Sequence, residues 1–246
     1  MHDGGVPPPA AAPVDIVVPV KSLRAAKSRL RGAADAGVGD PDAHSRLALA
    51  LVLDTLTAAR LARVRTLLVV TADPDVEKAI DDALRQARVP GRSPADRVAE
   101  IDVVAEGGLP GLNAALAHGA GLLRARDPHG IVGALQSDLP ALRPGELDTA
   151  LTAATALFAG GAARAFCTDT PGDGTSLLLS APGVALDPMF GAGSAARHAG
   201  SGAVPVEGSL PGLRRDVDTA DDLRHAVALG VGTHTTSALA VVARGA

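Results

Sequence analysis

The sequence predicts an α/β fold built on a mainly parallel sheet, and three observations carry that expectation. Short runs of β-branched and aliphatic residues alternate with longer stretches at helical spacing, in the order β-α-β-α-β-α-β-α from Val14 to Phe158. The helical stretches open on start signals, Asp40-Pro41, Asp73-Pro74 and Pro144. The apolar run Ile131-Val132-Gly133-Ala134-Leu135 is the kind expected of a strand covered on both faces. Such an alternation favours parallel strands joined by right-handed crossovers.

Taken in order, residues 1–13 are rich in Gly, Pro and Ala and read as a disordered tail. Val14 to Val20 is the first strand, followed by a loop bearing Lys21, Arg24, Lys27, Arg29 and Arg31. Asp40-Pro41 starts a helix that places Leu47, Leu51 and Leu61 at roughly helical spacing and ends near Ala62. Thr66 to Thr71 is the second strand, and a helix runs from Asp73-Pro74 to about Arg88. Ile101 to Val104 is a short strand, and Gly107-Gly108 open a helix from Leu109 to Arg126. The run from Ile131 then ends in Ser137-Asp138-Leu139-Pro140, before a helix from Pro144 to Phe158. Beyond it, Ala162 to Thr168 and Ser176 to Ser180 read as strands joined by the turn-rich Asp169 to Gly174. A glycine-bearing loop, Asp187 to Ser194, precedes a short helix from Ala195 to Ala199. Leu213 to Val217 is expected as a last strand, Thr219 as the cap of a helix from Ala220 to Leu229, and residues 231–246 as a flexible tail. One domain over 14–230 is expected.

Composition removes several classes of function. Aromatic residues make up 1% of the chain, with neither Trp nor Tyr, so bases are not expected to stack on aromatic platforms. The net charge of −4 argues against a general nucleic-acid binder. The single cysteine, Cys167, excludes a disulfide framework within the chain and a Cys-based zinc site, which suits a reducing cytoplasm. No run suggests a signal peptide or a membrane span.

Five groups could carry chemistry. Open α/β sheets bind ligands at the carboxyl ends of strands, where Asp138 falls; the alternative is that Asp138 caps the following helix. The cations from Lys21 to Arg31 also follow a strand and would attract a polyanion such as a triphosphate, unless they are a solvated surface loop. On an extended segment Asp216 and Asp218 point to one side and can reach one hard cation, or they belong to the cap before Ala220. The glycines of Phe190-Gly191-Ala192-Gly193-Ser194 let backbone N–H groups converge on an anion, with Arg197 and His198 close by, or they form a plain turn. Gly111 and Asn113 open a helix where Asn113 could pair with a base or ribose, or merely close a tight turn. Neither a nucleophile elbow nor a His-rich metal motif is present, so covalent catalysis has no candidate.

Six segments in order resemble the 2-phospho-L-lactate/phosphoenolpyruvate guanylyltransferases of coenzyme F-420 biosynthesis. They are Pro19-Val20-Lys21 with Ala26 to Leu30, Gly111-Leu112-Asn113, Ser137 to Pro140, Asp173-Gly174-Thr175, Phe190-Gly191 with Gly193-Ser194 and His198, and Asp216 to Thr219. The resemblance spans Val14 to Leu229. It implies a Rossmann-like, GT-A-like nucleotidyltransferase, a three-layer sandwich with a mostly parallel mixed sheet, related to the molybdopterin guanylyltransferases. It further implies transfer of GMP from GTP to phosphoenolpyruvate, giving enolpyruvyl-2-diphospho-5'-guanosine and pyrophosphate. Asp138, Asp216 and Asp218 would hold Mg²⁺, and Thr175, Gly191 and Ser194 would grip the acceptor. Lys21, Lys27 and Arg29 would act on the triphosphate, with Gly111 and Asn113 also on the nucleotide. The product would pass to a later transferase in the cytoplasm. The Ala-rich, Lys-poor composition suits a high-GC actinobacterium, where phosphoenolpyruvate is the acceptor expected. The rivals are 2-phospho-L-lactate as acceptor, a nucleotidyltransferase of this fold acting on a pterin or sugar phosphate, and a nucleotide-sensing protein without turnover.

Overall fold

The computed structural model describes residues 12–23, 30, 33, 37, 40–86 and 98–243. Its elements follow the order β1 (Val14–Val20), α1 (Pro41–Arg60), β2 (Thr66–Thr71), α2 (Pro74–Gln86), β3 (Glu100–Ala105), α3 (Leu112–Arg126), β4 (Ile131–Leu135) and α4 (Pro144–Ala159). The second half comprises β5 (Arg164–Thr168), β6 (Thr175–Ser180), α5 (Ser194–Gly200), β7 (Val204–Pro205), α6 (Pro211–Arg214), α7 (Ala220–Leu229) and α8 (Thr233–Ala243).

Seven strands form one sheet in the order β3-β2-β1-β4-β6-β5-β7. β3, β2, β1 and β4 are parallel, β6 runs antiparallel to both β4 and β5, and β7 is parallel to β5. The sheet is therefore mixed, with a parallel half and an antiparallel insertion. β1 and β2 are buried along their whole length, because alternate residues feed two separate cores. Ile16, Val18, Leu67 and Val69 pack with α1, α2 and α4 on one face. Val17, Leu68 and Val70 pack with α3 and with Phe190 and Ala195 on the other. That is a three-layer sandwich, as expected.

The strand order reverses between β1 and β4, which are neighbours in the sheet though far apart in sequence. A crevice opens at such a switch point, outside the carboxyl ends of the two strands. Lys21 follows β1 there, and Ser137-Asp138 follow β4.

Two expectations are corrected. Leu213 to Val217 is not a strand: Pro211 begins α6, and residues 215–218 run on without helix or strand. The edge next to β5 goes instead to the two-residue β7. The stretch after Gly230, expected to be loose, contains α8, whose Ala238 and Leu239 pack against Leu47, Leu51 and Val217.

Candidate active site

The end of β4 is fixed from four sides, which is why Asp138 has a defined position. The Gln136 N–H donates to the Ser176 carbonyl at 2.9 Å and the Leu139 N–H to Thr55 Oγ1 on α1 at 2.9 Å. The Val217 N–H donates to the Asp138 carbonyl at 3.1 Å, and the Gly232 N–H to the Pro140 carbonyl at 3.0 Å. Asp138 itself is buried. It is not a helix cap, because α4 starts beyond it at Pro144 with Arg143 as its N-cap. The capping alternative for Asp138 is thereby removed.

The Val217–Asp138 bond lays residues 216–218 against the end of β4. Val217 is fully buried in a small core with Leu47, Leu51 and Leu223, while Asp216 beside it is half-buried and Asp218 exposed. Thr219, not either aspartate, caps α7: its Oγ1 accepts from the Asp222 N–H at 3.2 Å, and Asp222 accepts from the Thr219 N–H at 3.0 Å. So residues 216–218 lie beside Asp138 as an irregular segment pinned by a buried valine, not as a strand.

An all-oxygen set of carboxylates suits a hard cation such as Mg²⁺. Among the described residues, however, no three His, Cys, Asp or Glu side chains gather into a metal-holding group. Mg²⁺ commonly takes only one or two protein carboxylates and completes its shell with water and substrate phosphate. The residues fit a cation shared with phosphates better than one caged by protein alone.

Lys21 is exposed at the carboxyl end of β1, whereas Lys27 and Arg29 lie outside the described residues. The Leu23 N–H donates to Asp73 Oδ2 at 2.9 Å, tying the start of this loop to the turn before α2. Ser22, Leu23, Asp42, Arg46 and Asp73 line a cleft of about 430 Å³ beside it.

A second constellation forms around β6 and the glycine loop. β6 is antiparallel to β4, with Leu177 opposite Leu135, so Thr175 at its start lies at the same end of the sheet as Asp138. Thr175 Oγ1 is 2.9 Å from His198 Nδ1 and 3.1 Å from Ser194 Oγ, and all three side chains are buried. The Met189 N–H donates to His198 Nε2 at 3.0 Å. Phe190 packs edge-on to the imidazole with ring centroids 5.3 Å apart. Burial, reinforced by the neighbouring Arg197 charge, pushes the His198 pKa down from 6.5 to about 4, so the ring is neutral at pH 7.

Gly191, whose carbonyl accepts from the Ser194 N–H at 3.0 Å, is exposed at φ 118°, a backbone state that a side chain would strain. Its loop is held on both sides. Asp173 Oδ2 accepts from the Gly193 N–H at 2.9 Å, and the Asp173 carbonyl accepts from the Ala195 N–H at 2.9 Å. Arg197 donates to the Met189 carbonyl at 3.0 Å and to the Ala192 carbonyl at 2.6 Å, so it braces the loop.

Asn113 departs from the base-reading role. Its Nδ2 donates to the Phe190 carbonyl at 3.1 Å, and its Oδ1 accepts from the Phe190 N–H at 2.8 Å. The donor–acceptor edge that could have met a base is turned to the glycine loop. Gly111, at φ 84°, is exposed at the start of α3.

The structure thus brings Asp138 together with the Asp216–Asp218 segment, and Thr175 with Ser194 and the Gly191 loop. Sequence reasoning gave no role to Asp173 or to Thr55, and it quoted His198 without one. The only signal for the histidine was its place four residues after Ser194, one helical turn away.

No family model matches the chain. It is 47% identical over 230 residues, 93% of its length and 95% of the relative's, to a phosphoenolpyruvate guanylyltransferase of Geodermatophilus obscurus. It is 46% identical over 226 residues to the protein of the same name from Streptomyces coelicolor, covering 92% of this chain and 95% of that one. Among solved structures it is similar to a nucleotidyl transferase from Methanothermobacter, with a TM-score of 0.56 at 18% identity over 88% of this chain and 97% of the other. A 4-diphosphocytidyl-2C-methyl-D-erythritol synthase from Anaerococcus prevotii gives 0.54 at 12% identity, over 89% and 96%. These distant similarities speak to the fold alone.

Proposed function

The chain belongs to the phosphoenolpyruvate guanylyltransferase family, and from that premise we propose that it transfers GMP from GTP to phosphoenolpyruvate. The products are enolpyruvyl-2-diphospho-5'-guanosine and pyrophosphate, as in coenzyme F-420 biosynthesis. One observation carries the assignment to this site. The Asp138–Asp216–Asp218 segments and the Thr175–Ser194 hydroxyls sit at one end of adjacent strands β4 and β6, an arrangement with one side for polyphosphate and one for a small acid.

An oxygen of the acceptor phosphate attacks the α-phosphorus of GTP. A P–O bond forms there as the bond to the β-phosphate oxygen breaks, and pyrophosphate leaves with the electron pair. A phosphate monoester has its second pKa near about 6, so the nucleophile is ionised without help from a protein base. This accounts for the absence of a nucleophilic side chain among the sequence candidates.

The protein's part is positioning and charge. The Thr175–Ser194 hydroxyl pair donates to the acceptor, beside the loop that turns at Gly191. Lys21, Lys27 and Arg29 attract the triphosphate, and Gly111 borders the nucleotide. Asn113 is reassigned from reading the base to shaping the acceptor loop through Phe190. Asp138 with one carboxylate of the Asp216–Asp218 segment, rather than all three aspartates, would hold Mg²⁺, which would neutralise charge on the phosphates when bound. The activated product suits consumption by a transferase that releases GMP.

Pyrophosphate release tests the proposal. It should require GTP, phosphoenolpyruvate and Mg²⁺ together and stop on chelation. Release from GTP with a sugar phosphate or pterin phosphate, and none with phosphoenolpyruvate, would replace the acceptor while keeping the fold's chemistry.

A further inference from the structure

His198 is wholly buried, yet both of its ring nitrogens are engaged, and the two bonds together determine where its proton lies. A backbone N–H can only donate, so Nε2, which faces the Met189 N–H at 3.0 Å, carries no proton. The neutral ring then bears its proton on Nδ1 and donates it to Thr175 Oγ1 at 2.9 Å. The low pKa of His198 keeps the ring in this state over the neutral range.

This fixes the polarity of the hydroxyl pair. Thr175 and Ser194 hold two O–H protons between them, and the 3.1 Å bond joining their oxygens consumes one. Thr175 cannot give the other to His198, because the imidazole is itself the donor. One hydroxyl proton is therefore left over whichever of the two oxygens donates in their mutual bond. Among the described residues no acceptor takes it, and both side chains are almost entirely out of water, Thr175 at 4% and Ser194 at 1% exposed. A buried donor of this kind calls for an acceptor oxygen, and its bond is strongest to an ionised one.

We propose that His198 is the positioning residue of the acceptor subsite, setting the Thr175–Ser194 pair as a net hydrogen-bond donor toward a phosphate or carboxylate oxygen of the bound acid. The opposite tautomer would turn Thr175 toward the ring and leave the pair without a spare proton. The packing holds the tautomer, since Phe190 and Phe166 flank the imidazole with centroids 5.3 and 6.0 Å away and the Met189 N–H faces Nε2. This role rests on the guanylyltransferase reading of the site.

Two conservative variants separate the two bonds. In His198→Asn the amide nitrogen overlays Nδ1 and keeps the donation to Thr175, while the bond from Met189 is lost. In His198→Gln the longer side chain reaches toward Nε2 and keeps the Met189 bond, while the donation to Thr175 is lost. Steady-state kinetics should give His198→Asn an acceptor KM near that of the wild type. For His198→Gln the acceptor KM should rise about tenfold, the scale of one hydrogen bond to a charged group, with the KM for GTP unchanged. Each variant loses one bond, so a merely structural role predicts no such split. Equal acceptor KM values in the two variants, or KM for GTP rising in step with that of the acceptor, would overturn the role of His198. A wild-type enzyme that turns over no GTP with phosphoenolpyruvate would overturn the underlying reading as well.

Discussion

At the scale of single residues, several side chains have surroundings that leave them one task. Asp138 is the clearest. It is buried, its carbonyl is taken by Val217, and the helix it might have capped starts at Pro144 with another residue in the cap. Asp138→Asn and Asp216→Asn should therefore preserve the fold while lowering turnover at least about 10²-fold, the scale of losing one transition-state electrostatic contact. Steady-state turnover at saturating Mg²⁺ checks this, and near-normal rates in both variants would remove the aspartates from the phosphate side. His198 gives a second expectation, in stability rather than rate. Its pKa is about 4 in the folded chain against 6.5 ordinarily, so between those values the unfolded chain binds a proton that the folded chain refuses. Stability should thus fall as pH is lowered through that window, by up to about 1.4 kcal/mol per unit from this group. Urea midpoints compared between about pH 7 and pH 5 should drop less in His198→Gln, which cannot titrate; equal drops would place the pH sensitivity elsewhere. The position of Asp138 at a strand end was legible in the sequence, because an apolar run that stops at Ser-Asp marks that end by itself. The partners of Asn113 and His198 were not. Phe190 lies 77 residues beyond Asn113, and Thr175 lies 23 residues before His198, distances that no local pattern spans.

At the scale of elements, the first eight follow from local rules. β-branched runs make β1 and β2, and Asp40 caps α1 by accepting from the Asp42 and Ala43 N–H groups, as the Asp-Pro step foretells. The misjudged elements owe their form to contacts distant in sequence. α8 carries no acidic residue in its first turn; its cap is Asp54, on α1, which accepts from the His234 N–H at 3.0 Å and the Thr235 N–H at 2.8 Å. A carboxylate facing those N–H groups also complements the helix dipole. The approach is close enough that a Cβ on Gly232 would lie 2.3 Å from the Asp54 carboxyl carbon. Asp54→Ala should lower the urea midpoint by an amount equivalent to about 1–2 kcal/mol, with the slope unchanged. An unaltered midpoint would mean that α8 is held by its apolar contacts alone. Leu213 to Val217 failed as a strand because Pro211 and Gly212 begin a helical turn whose Gly212 N–H is taken by Glu146 Oε1 at 2.9 Å. Yet the segment still lies against the end of β4 beside Asp138, because Val217 is drawn into the core that α8 helps to close.

At the scale of the whole molecule, one sheet carries two kinds of chemistry at one end. The parallel half supplies the crevice between β1 and β4, where Lys21 and Asp138 face the phosphates in our reading. The antiparallel pair β6 and β5 brings in the Thr175 hydroxyl and, through the Asp169–Gly174 turn, the Asp173 that holds the glycine loop. The parallel half was legible because βαβ units repeat a strong local pattern; the antiparallel insertion was legible as strands but not as a neighbour of β4. Selection of the acceptor is a property of this assembly. Phosphoenolpyruvate and 2-phospho-L-lactate share the phosphate and carboxylate that Thr175 and Ser194 would bind, and differ only in whether C2 is flat. Discrimination by shape is worth about 1–3 kcal/mol, a preference and not an exclusion. The decisive measurement supplies GTP, Mg²⁺ and both acids at equal concentration and weighs the guanylylated products by mass spectrometry. The enolpyruvyl adduct should dominate; a dominant phospholactate adduct would reverse the choice of acceptor, and no adduct of either acid would remove the guanylyltransferase activity itself.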